Sequence, residues 1–151
     1  MEICVQDPRA PQVARLLDEH LQDMARLSPP ESVHALDIEA LCVPTITFWA
    51  AWEGTELLGC GALSDLGQRH GEVKSMRTAA NHLRRGVAAA ILRHIINEAR
   101  RLAYCRLSLE TGSMAAFLPA HALYAAFGFE ACGPFANYRL DPNSVFMTRG
   151  L

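Results

Sequence analysis

The chain has 151 residues, half of them hydrophobic, and a formal net charge of −2, which suits one folded domain with a proper core and excludes a disordered segment. No apolar run approaches the length of a membrane span, and the start, MEICVQDPRA, is not a basic-then-apolar leader. Cys4, Cys42, Cys60, Cys105 and Cys132 are odd in number, scattered and free of any C-x-x-C spacing, a pattern that excludes a zinc site and a disulfide framework and leads us to expect a cytoplasmic protein.

Met1–Gln6 reads as a short strand, broken at Asp7-Pro8. Pro11 suits the first turn of a helix whose inner face carries Val13, Leu16, Leu17, His20, Leu21 and Met24, with His20 as a packing residue. Ser28-Pro29-Pro30 ends it, and Glu31–Leu41 is expected as a second short helix, with His34, Asp37 and Glu39 on its surface. Thr45–Trp52, rich in aromatic and β-branched residues, turns through Glu53-Gly54-Thr55-Glu56 into Leu57–Leu66, a hairpin. Gly59 and Gly61 leave one face of that second strand with little bulk. Gly67–Gly71 is a turn, and Glu72–Thr78 is the central strand, whose alternation puts Glu72, Lys74, Met76 and Thr78 on one face. A polar turn then leads into a helix with Val87, Ile91, Ile95 and Leu102 on one stripe. Tyr104–Glu110 is another strand, Thr111-Gly112-Ser113 a loop, and Ala115–Phe127 a helix with Pro119 in its first turn. Phe129–Arg139 and Ser144–Thr148 close the chain as a hairpin-like pair around Asp141-Pro142-Asn143. No repeat or linker interrupts the pattern, so residues 1–151 are expected as a single domain of α/β, mixed α+β, character.

The turn between the central strand and its helix ends in Arg84-Arg85-Gly86. First-turn amides of a helix lack intrahelical partners, the helix dipole adds partial positive charge, and a glycine lets a ligand reach the backbone. This is a place to hold an anion such as a pyrophosphate. Charge along the chain agrees: residues 1–65 hold eleven acids against three arginines, whereas residues 69–106 hold nine basic side chains against Glu72 and Glu98. A Walker A loop would need Gly-Lys-Ser/Thr where Gly86-Val87-Ala88 stands, and the dinucleotide pattern G-x-G-x-x-G lacks two of its glycines. Nucleic acid would call for a higher pI and nearby stacking aromatics, so neither nucleic acid nor membrane is expected as a partner.

Leu83-Arg84-Arg85-Gly86-Val87-Ala88 resembles the Gln/Arg-x-x-Gly-x-Gly/Ala turn of the GCN5-related N-acetyltransferases (GNAT family), with Leu83 departing from Gln/Arg. Leu123-Tyr124-Ala125-Ala126-Phe127-Gly128-Phe129 is similar to the family's Leu-Tyr-x-x-x-Gly-Phe segment, in the same order and at a matching distance. The resemblance implies a central mixed, mostly antiparallel six- to seven-stranded sheet, splayed between its two parallel central strands, with helices on both faces. It further implies acetyl-CoA as cosubstrate. The pantetheine arm would pair with main-chain groups of Met76, Arg77 and Thr78, and the pyrophosphate would sit on the turn formed by Leu83, Arg84, Arg85, Gly86, Val87 and Ala88. Phe117 stands where many members have an asparagine, seven residues before Tyr124, and would pack on the pantetheine.

The reaction so implied is direct attack of a primary amine, of a small molecule or amino-acid-like acceptor, on the thioester in a ternary complex. Tyr124 is then the expected acid toward the departing thiolate. An ordinary tyrosine near about 10 facing a thiol near about 8.5 makes that transfer uphill by roughly 2 kcal/mol. Glu72, fourteen residues before Gly86, resembles the catalytic glutamate of some members and is the expected base; a strand-end carboxylate paired with Arg69 is the competing reading. His121 lies one turn before Tyr124, and Phe135, Tyr138 and Asn143 are expected acceptor-site walls. A non-catalytic acyl-CoA-binding sensor or structural subunit is the alternative, and a homodimer is compatible with similar folds.

Overall fold

A computed structural model describes residues 1–151. In chain order the elements are β1 (Glu2–Val5), α1 (Pro11–Leu27), α2 (Ile38–Leu41), β2 (Ile46–Glu53), β3 (Glu56–Asp65), β4 (His70–Thr78), α3 (Val87–Arg101), β5 (Arg106–Gly112), α4 (Leu118–Ala126), β6 (Glu130–Cys132) and β7 (Ser144–Gly150). They build one seven-stranded sheet in the order β1-β2-β3-β4-β5-β7-β6. Every pairing is antiparallel except that of β4 with β5. That parallel ladder is short: His70–Glu72 pair with Arg106–Ser108, and there it ends. Beyond it β4 follows β3 to Thr78 while β5 follows β7 to Gly112, so the two central strands part.

The sheet alternates its side chains between two cores. Phe48, Ala50, Cys60 and Ala62 meet Val13, Leu16 and Leu17 of α1 and Leu41 of α2. Trp49, Ala51, Leu63, Val73, Leu107 and Leu109 meet α3 and Tyr124 of α4 on the other side. α3 lies unusually close to the sheet. A β carbon at Gly61 would stand 2.7 Å from Met76 Sδ and 2.8 Å from Ile91 Cγ2, and one at Gly59 would stand 3.0 Å from Val87 Cγ1. The bare face left by the two glycines is therefore the seat of α3.

Several elements depart from expectation, each for a physical reason. Strict alternation along β4 fails, because the register slips between Cys60 and Ala62, where β3 advances two residues while β4 advances three. Ser75, at φ 54°, takes the kink of this β-bulge. Glu72, Lys74 and Arg77 consequently share the α1 face, where Arg77 Nη2 meets Asp23 Oδ2 of α1 at 2.6 Å. Met76 turns to the α3 face with Val73. Glu31–Leu41 is not one helix: a 3-10 turn at Pro30–Ser32 and an extended stretch precede the four-residue α2, which Asp37 caps by accepting from the Ala40 amide at 2.8 Å. Leu102 leaves the α3 stripe because the helix stops at Arg101 and Ala103 turns the chain at φ 63°; Ala99 completes the buried row.

β5 is shifted toward its C-terminus, since Thr111 and Gly112 pair with Val145 and Ser144 instead of forming a loop. Ala115–Phe117 form a 3-10 turn ahead of α4. The closing pair keeps only three residues of its first strand, β6. Residues 133–143 instead fold over the α1 face of the sheet, where Phe135 packs on Tyr138, Phe146 and His70. The turn around Asp141-Pro142-Asn143 is present, closed by Ser144 N donating to Asp141 O at 3.0 Å.

Candidate active site

The parting of β4 and β5 opens a cleft of about 770 Å³ that runs from the start of α3 to the residues 133–143. At its α3 end the backbone makes the surface. Arg84 and Gly86 take left-handed conformations, φ 60° and 81°, and α3 begins with no side-chain cap. Ala90 N donates back to Gly86 O at 3.0 Å, and the amides of Val87, Ala88 and Ala89 have no partner within the protein. Three free amides on a helix N-terminus suit a phosphate group. Leu83, Arg84, Gly86, Val87 and Ala88 line the cleft. Arg85 directs its side chain elsewhere: its Nη1 donates to His82 Nδ1 at 2.9 Å, and His82 Nε2, thereby the protonated nitrogen, lies 2.8 Å from Glu56 Oε1. This chain of three ties the turn to the β2–β3 hairpin.

In the middle of the cleft, Met76, Arg77 and Thr78 of β4 face Thr111, Phe117 and Tyr124 across the opening. Gly112 is there for Phe117: a β carbon at that position would fall 2.3 Å from the ring. Tyr124 is 7% exposed, packs edge-on against Phe129, and its hydroxyl lies on the cleft without a hydrogen-bond partner in the protein. Burial, and secondarily the charge of Glu110, pushes its phenol up to about 12. His121 does not reach the cleft. Its Nε2 donates to Gly112 O at 2.7 Å and fastens α4 to the end of β5.

At the far end the side chains make the surface. Glu72 is 5% exposed and does not pair with Arg69, whose Nε donates to Ala103 O. Its Oε2 accepts from Lys74 Nζ at 3.1 Å and from the Tyr138 hydroxyl, while Lys74 Nζ also reaches the Tyr138 oxygen at 2.9 Å. Burial and the Glu72 charge hold the Tyr138 phenol far above the usual range, so it stays protonated. The Tyr138 ring meets His34 edge-on, centroids 4.9 Å apart. These two rings divide the cleft from an outer pocket of about 750 Å³, and Ser32, His34, Glu72 and Tyr138 line both. Glu31, Arg139, Asp141 and Asn143 line the outer pocket. Of the residues expected as acceptor walls, Tyr138 and Asn143 line this outer pocket, while Phe135 packs against Tyr138 and lines neither the pocket nor the cleft. Asp37 is occupied as a cap and Glu39 in a pair with Arg9.

Two features escaped the sequence reading. Glu110 reaches the cleft from β5; the one available sign was its place two residues after Ser108, on the same face of the strand expected at Tyr104–Glu110. His20 is the other. It is 9% exposed, lines the cleft, leaves Nδ1 unpaired, and is pushed down to about 4 by burial and by the Arg77 charge.

A sheet splayed between parallel central strands, with a free helix N-terminus at one end and a buried tyrosine at the opening, defines an acyl-CoA-binding acetyltransferase fold. The model of the acetyltransferase (GNAT) family matches residues 13–129, and the chain belongs to that family. It is 61% identical over 151 residues, covering 100% of both chains, to the protein of Bacillus subtilis (strain 168) described as uncharacterized N-acetyltransferase YsnE. It is 35% identical over 150 residues, 99% of this chain and 97% of the other, to an IAA acetyltransferase of Azospirillum brasilense. A Bacillus subtilis acetyltransferase solved in complex with CoA superposes with a TM-score of 0.74 at 16% identity, covering 99% of this chain and 98% of that one; this likeness is one of fold. The protein is thus an acetyltransferase, and no helix in it is long and apolar enough to cross a membrane.

Proposed function

We propose that the protein transfers the acetyl group of acetyl-CoA to a primary amine of a small or amino-acid-like acceptor, by direct attack with both substrates bound. The observation that carries this reading is the continuity of the cleft. It joins free α3 amides, an unpaired β4 edge at Met76–Thr78 and the unbonded Tyr124 hydroxyl to a pocket rich in charged side chains. The diphosphate belongs on the amides of Val87 to Ala89 beside Arg84, the pantetheine between β4 and Phe117, and the thioester at Tyr124. The acceptor enters from the outer pocket, where Glu31, Glu72 and Asp141 outnumber Arg139 and favour a cationic molecule. Five unpaired thiols fit a reducing compartment.

Tyr124 gives its proton to the departing thiolate. A phenol at about 12 against a thiol near about 8.5 makes that step uphill by roughly 5 kcal/mol, so the free protein holds Tyr124 as a poorer acid than an ordinary tyrosine. A hydrogen bond to the developing thiolate and the loss of nearby negative charge both act to close that gap. Glu72 holds Lys74 and Tyr138 in position at the mouth of the outer pocket.

A thermal-shift series with acetyl-CoA, CoA and ATP, followed by thiol release from acetyl-CoA with a panel of primary amines, tests the reading. Both CoA forms should raise Tm by a few degrees at about a hundred times Kd, equivalent to about 2.7 kcal/mol, while ATP does little. Thiol release should then depend on the amine. A protein that CoA fails to stabilise would sink the proposal.

A further inference from the structure

Three carboxylates line the cleft, and two are already engaged: Asp23 with Arg77 and Arg26, and Glu72 with Lys74 and Tyr138. Glu110 makes no ion pair, and the one side-chain hydroxyl that bears on it is that of Ser144. Given the acetyl-transfer reading above, on which this step rests, we infer that Glu110 rather than Glu72 takes the proton from the attacking amine and passes it on to Tyr124.

The position follows from the sheet. The β4–β5 ladder ends at Glu72 and Ser108, and Glu110 is the next residue of β5 on the Ser108 face, the first to look into the opening with no β4 neighbour. Ser108 is committed to His70 and Thr148, at 2.7 and 2.9 Å, and does not reach the cleft. The charged and titratable groups that bear on Glu110 are Glu72 and Lys74 from β4, His34 from the stretch before α2, Tyr124 from α4 and Tyr138 from residues 133–143. Burial holds its carboxyl above the usual carboxylate range, against the pull of Ser144, His34 and Lys74. That direction brings a carboxylate closer to the basicity a proton acceptor needs near neutral pH.

The protons balance. The neutral amine nitrogen forms a bond to the thioester carbonyl carbon, and one N–H proton moves to the Glu110 carboxylate. The C–S bond breaks as the Tyr124 hydroxyl proton goes to sulfur, releasing CoA as the thiol and the acceptor as its acetamide. The proton held by Glu110 then restores the tyrosinate. Order matters here, because the charge of Glu110 opposes ionisation of Tyr124. Neutralising the carboxylate first makes the tyrosine a better acid at the step that needs one.

The test is thiol release from acetyl-CoA with benzylamine and the rest of the amine panel, in wild type, Glu110→Gln, Glu110→Ala, Glu72→Gln and Glu72→Ala, with the CoA thermal shift measured on each. Glu110→Gln should lose about 100-fold or more in kcat and the ascending limb of its pH profile while keeping the CoA shift. Sodium formate, a small carboxylate, should partly restore Glu110→Ala. Glu72→Gln should be slower through loss of its hold on Lys74 and Tyr138, yet keep the ascending limb, and formate should leave Glu72→Ala unchanged. If Glu110→Gln stays within about threefold of wild type, or formate rescues Glu72→Ala instead, the assignment is overturned while acetyl transfer stands. A wild type that binds CoA and releases no thiol with any amine overturns the transfer reading, and this assignment with it.

Discussion

The two ends of the cleft are made of different material. At the α3 end, the turn and first residues of α3, 83–89 without the Arg85 side chain, supply the surface, and most of what they offer a ligand is backbone: three free amides and two left-handed residues. At the acceptor end, side chains from β4, β5, residues 32–34 and residues 133–143 converge, and they are held by each other. A surface of backbone tolerates substitution so long as the chain keeps its path. A surface of converging side chains does not, because each member orients the next.

That contrast can be broken in four places. The largest effect belongs to the middle of the cleft, where side chains also make the surface: Tyr124→Phe should lower kcat by about 100-fold or more where chemistry limits the rate, with the CoA thermal shift retained. An unchanged kcat would remove Tyr124 from the reaction. Next comes His20, the buried wall of the same region. Its folded-state value of about 4 lies below an unfolded value near about 6.5, so the unfolded chain binds the extra proton between them. Stability is then full above pH of about 6.5 and falls by about 3 kcal/mol on the way to pH of about 4. Urea unfolding at both pH values, in wild type and His20→Leu, isolates this contribution; equal pH dependence in the two proteins would contradict it.

At the backbone end the expected effects are smaller. Gly86→Ala meets no neighbouring atom within 4 Å, but its φ of 81° is left-handed, which costs about 1–2 kcal/mol for a residue with a β carbon. A lower Tm together with a weaker CoA shift is expected, and an unaltered CoA shift would mean that the path of the turn is not what binds. Smallest of all is the pair of arginines. Arg84→Ala should weaken CoA several-fold by calorimetry and Arg85→Ala by no more than about twofold, since exposed charges contribute up to about 1 kcal/mol and Arg85 is spent on His82. Equal losses would show that Arg85 swings into the cleft when CoA arrives.

The same contrast governs what could be read in advance. Local signals were legible: the Pro11 helix start, the hairpin at Gly54, the glycine-marked start of α3, and the Leu-Tyr-x-x-x-Gly-Phe segment that places Tyr124 on a helix. The parallel splay came with the family resemblance and is present. What failed lay where one strand answers to another. Alternation carried Met76 to the wrong face because a bulge depends on the pairing of β3 with β4 and leaves no mark in β4 alone. Phe129–Arg139 looked like a long strand, yet only Glu130–Cys132 pair, because residues 133–143 gain more by laying Phe135 and Tyr138 over the sheet.

Residue order alone settled the family and the turn between β4 and α3, and singled out Tyr124 as the expected acid, because each rests on neighbours within a few residues, where backbone conformation and hydrophobic period are decided. Only the tertiary structure decided which carboxylates are free. Glu72 and Glu110 are both strand glutamates; Lys74, two residues from Glu72, is a local difference, whereas Tyr138 reaches Glu72 only through the fold. Lys74 and Tyr138 engage one, and the ending of the β4–β5 ladder leaves the other without an ion pair. Charge pairing across a sheet is settled by which side chains the fold brings within about 4 Å, and that is a property of the assembled chain.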